Sequence, residues 1–284
     1  MSVRIRDAEP SDKNRLMSFI KDIWGGHDYI PYVWDEWLDD KSGRMFVVDI
    51  DGVPVGMNRV RFMEDGSAWF EGARIHPDFR GRGFASMLGE NSMGVARGRG
   101  VKVFRLTSSS WNRTAHRQIA RIRFKEASRV SVYEPGKGKR FLPKKGVRKA
   151  EKRDLRRVVE TIRGSKEFRL GSGVFWDSFA AIALSPPVLR ELVARGEVWV
   201  SDGAVVVTRR AREGREVWRQ VCFLAGDKEG AGQLLSHVLS LRGDAKLTRK
   251  LVYLPQGSSL ICMVRALGLK RMASLILFVR GANG

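Results

Sequence analysis

Cysteine is scarce in this sequence. The two cysteines, Cys222 and Cys262, stand far apart, and neither belongs to a Cys-x-x-Cys pair or has a histidine beside it. This spacing excludes a disulfide framework and gives no zinc site. We therefore expect no bound metal and a reducing compartment, the cytoplasm.

Long apolar runs are also missing. None approaches the roughly 18 apolar residues that a membrane-spanning helix needs. The first residues, Val3 to Arg6, alternate as in a strand and do not form a signal peptide. We expect a protein without a membrane partner, and the sequence leaves its oligomeric state open.

Acidic residues are few beside the basic ones, 31 against 52, which gives a formal net charge of +21. The imbalance is local, because residues 1–70 carry 9 basic and 13 acidic side chains, whereas residues 74–157 carry 24 basic and 6 acidic ones. Such a positive field attracts a polyanion, either a cofactor with several phosphates or a nucleic acid. Aromatic residues that could stack on bases are not interleaved closely in this segment, so nucleic-acid binding is the secondary expectation.

The most informative stretch is a glycine-rich turn between a predicted strand, residues 67–75, and a predicted helix. A turn of this kind directs backbone N–H groups and the positive end of a helix toward one point, which makes it an anion site. Gly81 and Gly83 let the backbone approach the anion, and two arginines add charge. The turn reads Arg80-Gly81-Arg82-Gly83, and the predicted buried face of the helix is Met87, Leu88, Met93 and Val95.

Two familiar phosphate-binding motifs are absent. The chain has no Gly-x-x-x-x-Gly-Lys-Ser/Thr run, and residues 101–104 lack the acid that a dinucleotide fold places about twenty residues after its first glycine. Arg80-x-x-Gly83-x-Ala85 instead resembles the acyl-CoA-binding signature of the GNAT N-acetyltransferases, Arg/Gln-x-x-Gly-x-Gly/Ala. The resemblance implies acetyl-CoA as cofactor, bound by Arg80, Gly81, Arg82, Gly83, Phe84 and Ala85 and by backbone N–H groups of Ala73, Arg74 and Ile75.

A second family pattern, Asn-x-x-Ala-x-x-x-Tyr-x-x-x-Gly-Phe, is matched in part. Asn112, Ala115 and Phe124 are in register, which implies that Asn112 and Ala115 lie at the cofactor. The tyrosine position is Ile119, so the usual proton donor to the CoA thiolate is missing. His116 is titratable near neutrality and could replace it, or is an ordinary exposed helical histidine.

Transfer of an acetyl group to an amine requires a base and an N–H donor for the carbonyl oxygen. By resemblance, Glu71 on the fourth strand is the expected general base, and the alternative is a strand glutamate paired with an arginine. Asp28 or Tyr29 from the loop at residues 25–31 could share the role of base. Residues 25–31 are similar to a segment of the histidine N-acetyltransferase-like branch, which implies a free amino acid or small amine as acceptor. The residues expected to contact it are His27, Asp28, Tyr29 and Trp34, although Trp34 and Trp37 read equally well as core.

The predicted element order over residues 1–135 is β-α-α-β-β-β-α-β-α-β, which resembles the GNAT fold. Residues 130–133 are expected to close this domain, residues 136–146 form a basic linker, and residues 147–284 read as a degenerate repeat. The predicted fold class is therefore α/β (α+β), with two tandem GNAT-like domains, each a mixed, mostly antiparallel sheet flanked by helices. The alternative is a separate α+β second domain, and residues 175–179 are expected to be helical.

These observations predict an acetyl-CoA-dependent N-acetyltransferase, in which a small-molecule amine or free amino acid attacks the thioester directly in a ternary complex. Two alternatives stay open. One is an enzyme that acetylates protein N-termini or lysines. The other is a non-catalytic protein that binds nucleic acid through residues 74–157.

Overall fold

The computed structural model describes residues 2–213, 216–241 and 249–283. Its contacts divide the chain into two compact units. The first unit consists of residues 1–108, 112–125 and 278–284, and the second of residues 109–111 and 126–277. Neither of the two cysteines is in a disulfide. No helix among the described residues is long and apolar enough to cross a membrane.

The first unit is a sheet with helices packed on it. Strands β1 to β4 pair antiparallel in chain order, and β5 pairs parallel to β4. The elements are β1 (Val3–Asp7), α1 (Asp12–Ile20), α2 (Ile30–Asp39), β2 (Gly43–Ile50), β3 (Val53–Phe62), β4 (Ala68–Ile75), α3 (Phe84–Gly98), β5 (Val103–Ser109) and α4 (Arg113–Arg121). Helices α1 and α2 bury Leu16, Ile20 and Trp34 against Val47 and Met57 of the sheet.

In the second unit, six strands pair in the order β6-β13-β12-β11-β10-β7. Its β12 and β13 are parallel, like β4 and β5, and α8 packs on β11 and β12 in the main core. The elements are β6 (Lys125–Pro135), β7 (Arg148–Lys149), α5 (Leu155–Gly164), α6 (Lys166–Leu170), β8 (Val174–Asp177), β9 (Ala180–Ala183), α7 (Pro186–Ala194), β10 (Val198–Ser201), β11 (Ala204–Glu213), β12 (Glu216–Gly226), α8 (Lys228–Ser240), β13 (Arg249–Pro255), α9 (Ile261–Ala266) and β14 (Leu269–Gly281).

The strands expected to end the first and second domains are assigned to units differently from the prediction. Strand β6, which was expected to close the first unit, belongs to the second and pairs antiparallel with β13. Residues 278–284 belong to the first unit, where Arg280 donates to the Ile122 carbonyl at 2.8 Å and the Ala282 N–H donates to the Lys102 carbonyl. Backbone hydrogen bonds are the same for any strand, so an alternating pattern does not specify which sheet a strand joins.

Two further expectations are corrected in the second unit. The segment predicted as a helix around residues 175–179 forms the hairpin β8–β9, whose turn residues Ser178 and Phe179 both have positive φ. The segment 136–146, predicted to be a linker with little to bury, packs on the unit: Phe141 lies against its main core. Short aromatic runs suit a buried strand as well as a buried helix, and the sequence pattern alone did not distinguish them.

Candidate active site

Strand β4 separates from β5 halfway along its length. Backbone pairing between the two strands ends at Phe70 and Leu106, although both strands continue. On its other side β4 pairs with β3. Glu71 is opposite Arg59 and Arg74 is opposite Met57, so β4 has two residues between these pairs where β3 has one. The extra residue is a β-bulge, and Gly72 within it has a φ of +70°. The bulge bends β4 at the point where the gap between β4 and β5 opens.

The glycine turn lies between β4 and α3. Gly81 and Gly83 both have left-handed φ values, +80° and +86°, and a Cβ on either would face open space. No described side chain caps the N-terminus of α3, so its first N–H groups have no partner within the helix and none from a cap. These features suit an anion such as a diphosphate. Two of the α3 residues predicted to be buried, Leu88 and Met93, are buried. The prediction is wrong for Met87, which is 41% exposed, because the buried face of α3 runs along Phe84, Leu88 and Ser92.

The arginines of the turn partly hold its backbone. Arg80 Nε donates to the Ile75 carbonyl at 3.1 Å, and Arg82 donates to the Asp78 carbonyl and lies over the Phe79 ring. The His76 N–H donates to the Val55 carbonyl of β3 at 2.8 Å. Because alternate residues of an antiparallel strand face opposite neighbours, the Ile75 N–H points away from β3, to the side where β5 has separated.

The loop before α2 is fixed to β4 by one buried ion pair. Asp28 is 1% exposed, and its carboxylate accepts from Arg74 at 2.6 Å and from the Ile30 N–H at 3.0 Å. The Arg74 guanidinium also lies over the Tyr29 ring, 5.7 Å from its centroid. Asp28 was expected to contact the acceptor; its burial instead makes it an anchor of the loop. His27 on the same loop is exposed, and Tyr29 is half-buried.

Aromatic residues of α2 cover the bulge. Trp34 was expected to contact the acceptor, but it is fully buried in the core, because α2 turns this side chain toward α1 and the sheet. Trp37 contacts the bulge: a Cβ on Gly72 would lie 2.7 Å from its ring, and Tyr29 meets it edge-on with centroids 5.7 Å apart.

Glu71, the expected base, lies in a charged cluster beside the bulge. Its Oε1 accepts from Arg59 at 2.7 Å and lies 3.6 Å from Arg61 Nε, which is the ion-paired alternative that the sequence left open. Arg59 is 2% exposed, stacks on Trp37 and also binds Asp40.

Burial favours a raised pKa for Asp40, but hydrogen bonds from Ser42 and the charge of Arg59 outweigh the effect of burial and lower that pKa. Sequence reasoning missed Arg59, although Arg59-Val60-Arg61 places two arginines on one face of β3.

Residues 13–122 match the model of the acetyltransferase (GNAT) family. The chain contains a GNAT domain. A histidine N-acetyltransferase of Xenopus tropicalis is 31% identical to this chain over 121 residues, which cover 40% of this chain and 37% of the relative. One of Oreochromis niloticus is 32% identical over 103 residues, which cover 35% of this chain and 31% of the relative. The chain therefore spans about a third of the length of these curated relatives.

Solved structures share the architecture over nearly the whole chain. A GCN5-related N-acetyltransferase from Sphaerobacter thermophilus has a TM-score of 0.63 and 14% identity, with 99% of this chain and 96% of that chain covered. A putative acetyltransferase from Thermoplasma acidophilum has a TM-score of 0.61 and 18% identity, with 98% and 99% covered. At identities of 14% and 18%, the likeness shows that this chain shares the fold of these structures.

Helix α4 of the GNAT domain keeps the backbone of the family pattern while changing its side chains. Asn112 caps the helix by accepting the Ala115 N–H at 3.1 Å, which joins the two residues expected at the cofactor. Arg123 stands at the family's glycine position and adopts a φ of +57° there. Ile119, at the tyrosine position, is buried. His116 is half-buried, 5.4 Å from the Phe278 ring, rather than freely exposed.

The described part of the chain holds no group of three or more His, Cys, Asp or Glu side chains placed to bind a metal. The GNAT domain offers an uncapped helix N-terminus, an N–H facing the gap, and the Glu71 and Tyr29 side chains at the bulge.

Proposed function

We propose that this chain is an acetyl-CoA-dependent N-acetyltransferase that acts on the primary amine of a free amino acid or another small molecule. The observation that carries the proposal is the gap between β4 and β5, which opens at a bulge a few residues before an uncapped glycine turn. Gly81, Gly83 and the first N–H groups of α3 would hold the diphosphate of acetyl-CoA. Phe84, Ala85 and the α4 cap, Asn112 with Ala115, remain proposed cofactor contacts.

In the proposed reaction the amine nitrogen attacks the thioester carbonyl carbon, the C–S bond breaks and the CoA thiolate leaves. The N–H of Ile75 is our proposed donor to the carbonyl oxygen, with Ala73 and Arg74 beside it on β4. Glu71 and Tyr29 are the proposed groups for removing the proton of the amine, because both lie at the bulge next to Trp37. His27 and Tyr29 are the proposed acceptor contacts on the loop.

Binding of acetyl-CoA is tested by calorimetric titration of the parent protein and two glycine variants. Gly83→Glu adds a carboxylate where the diphosphate would lie, and we expect it to abolish binding. Gly66→Glu is the matched control, since Gly66 also has a left-handed φ, +77°, and open space around its Cβ, but lies in the β3–β4 turn. A parent protein that binds no acetyl-CoA, or a Gly83→Glu variant that binds like the parent, contradicts the proposed site.

The acceptor is tested by following thiol release in the presence of histidine, other amino acids, polyamines and peptides. Histidine comes first because the curated relatives are named histidine N-acetyltransferases. We expect Glu71→Gln and Tyr29→Phe to lower kcat while acetyl-CoA affinity is kept. Activity on peptides alone would favour acetylation of protein N-termini or lysines, and acetyl-CoA binding without thiol release would favour a non-catalytic role.

We also propose that the second unit is a degenerate copy of the GNAT domain. Its parallel pair ends at Val221 and Val252, and a bulge on β12 lies beside that end, between Val221 and Phe223. Its counterpart of the glycine turn carries Asp227, whose carboxylate accepts the Gly230 N–H at 2.8 Å and caps α8. A carboxylate in this position repels a diphosphate. We therefore expect one acetyl-CoA per chain in the same titration, and two would contradict the assignment.

A further inference from the structure

Two stretches without acidic residues meet on the second unit. Residues 135–150 contain seven Lys and Arg and no Asp or Glu, and residues 257–277 contain three and none. The stretches touch where the Gly136 N–H donates to the Gly268 carbonyl at 3.1 Å. Lys139 lies along the same turn, because a Cβ on Gly268 would be 3.0 Å from its Cε. The Cε of Lys270 lies 3.9 Å from the corresponding point on Gly136.

Six exposed cations of these two stretches form what we call the basic surface: Lys137, Lys139, Arg140, Arg265, Lys270 and Arg271. None of them forms an ion pair with a carboxylate of a described residue. Other exposed arginines of the same unit do: Arg148 binds Asp154, Arg156 binds Glu160 and Arg195 binds Glu197. The charges of the basic surface are thus not offset by carboxylates of the described residues, and the surface keeps a positive field.

The backbone that carries half of these cations is held in place. Phe141 packs against the core of the unit, Ser236 donates to the Leu142 carbonyl at 3.1 Å, and the Lys144 N–H donates to His237 Nδ1 at 3.0 Å. A partner would therefore meet charges on an ordered segment, and less backbone freedom is lost on binding.

We infer that the basic surface binds the phosphate backbone of a nucleic-acid duplex. Six cations carried by two touching stretches suit a partner with regularly repeated phosphates, and three of the six are arginines, whose planar guanidinium groups bind phosphate oxygens in pairs. The one aromatic residue of the packed segment, Phe141, faces the core and does not stack on bases, so binding is independent of base sequence. The inference does not depend on acetyl transfer. It narrows the expected nucleic-acid contact within residues 74–157 to residues 137–140 and adds cations of α9 and β14.

The test is fluorescence anisotropy of the full chain with a short labelled duplex of random sequence. Each neutralised phosphate contributes about −0.9 to the slope of log K against log salt, so six contacts give a slope of about −5 between about 50 and 200 mM salt. Replacing Lys139, Arg140, Lys270 and Arg271 by Gln should weaken binding at least about tenfold at low salt and make the slope shallower by about 3 to 4.

The matched control replaces four exposed, ion-paired arginines of the same unit by Gln: Arg148, Arg153, Arg156 and Arg195. It changes the net charge equally, and we expect a clearly smaller loss. Thermal unfolding establishes that both variants remain folded. Equal losses in the two variants, no binding by the parent at about 50 mM salt, or binding to anionic phospholipid vesicles but not to the duplex would overturn the inference.

Discussion

Gly72 connects the bulge of β4 to the aromatic residues of α2. Its φ of +70° is one that side chains other than glycine rarely adopt, and a Cβ there would lie 2.7 Å from the Trp37 ring. Tyr29 and Arg59 both contact the same ring, so a shift of Trp37 moves one of the two proposed bases, Tyr29, and the ion-pair partner of the other, Glu71.

We predict that Gly72→Ala destabilises the protein by about 2 to 5 kcal/mol, the sum of the costs of a left-handed alanine and of an overpacked contact. Thermal or urea unfolding measures this change, and thiol release measures the accompanying loss of activity. Gly66→Ala is the control, because Gly66 has the same backbone conformation with no atom near its Cβ, and it should cost only about 1 to 2 kcal/mol. Equal costs for the two substitutions would show that the Trp37 contact has no role.

At the scale of elements, the β2–β3 hairpin is tied to β1 by a buried carboxylate. Asp49 is 1% exposed and accepts from the Gly52 N–H in the turn at 2.8 Å and from Arg6 on β1 at 3.2 Å. Burial favours a raised pKa for Asp49, but the hydrogen bonds from Gly52, Arg4 and Arg6 outweigh it and hold the pKa below its ordinary value.

A carboxylate with a lowered folded pKa stabilises the protein above its unfolded pKa of about 3.9, and this stabilisation is lost as pH falls through the folded value. We predict that Asp49→Asn lowers the free energy of unfolding by about 1 to 3 kcal/mol at neutral pH. The difference from the parent should shrink below about pH 4. Urea unfolding across this pH range measures it.

Asp7→Asn is the control for this prediction, because Asp7 pairs with Arg44 while both side chains are well exposed. Exposed pairs contribute about 0 to 1 kcal/mol. A loss for Asp49→Asn that is as small as that for Asp7→Asn, or that does not change with pH, would contradict the assigned role.

At the scale of the whole molecule, the first unit is built from segments that lie far apart in the chain. It includes residues 278–284, of which Arg280 binds Ile122, Glu90 and the Met93 sulfur. We predict that a fragment of residues 1–135 is poorly folded by circular dichroism and that a synthetic peptide covering residues 276–284 restores its native spectrum, since the peptide supplies the missing strand. A fragment that is cooperatively folded without the peptide would contradict this prediction.

The sequence by itself determined the features that depend on neighbouring residues. Apolar spacing located most helices and strands of both units, because the periods of a helix and a strand are local properties. The glycine turn was also found locally, since Gly81 and Gly83 permit the left-handed backbone that the turn requires, and the family resemblance followed from it.

Only the tertiary structure decided how distant residues combine. The partners of Asp28 and Glu71, the assignment of residues 278–284 to the first unit and the meeting of two acid-free stretches all join residues far apart in the chain. Strand backbones pair without regard to sequence, and a carboxylate binds whichever guanidinium the fold brings near it. A local pattern therefore names the candidates for such contacts, and the packing of the folded chain selects among them.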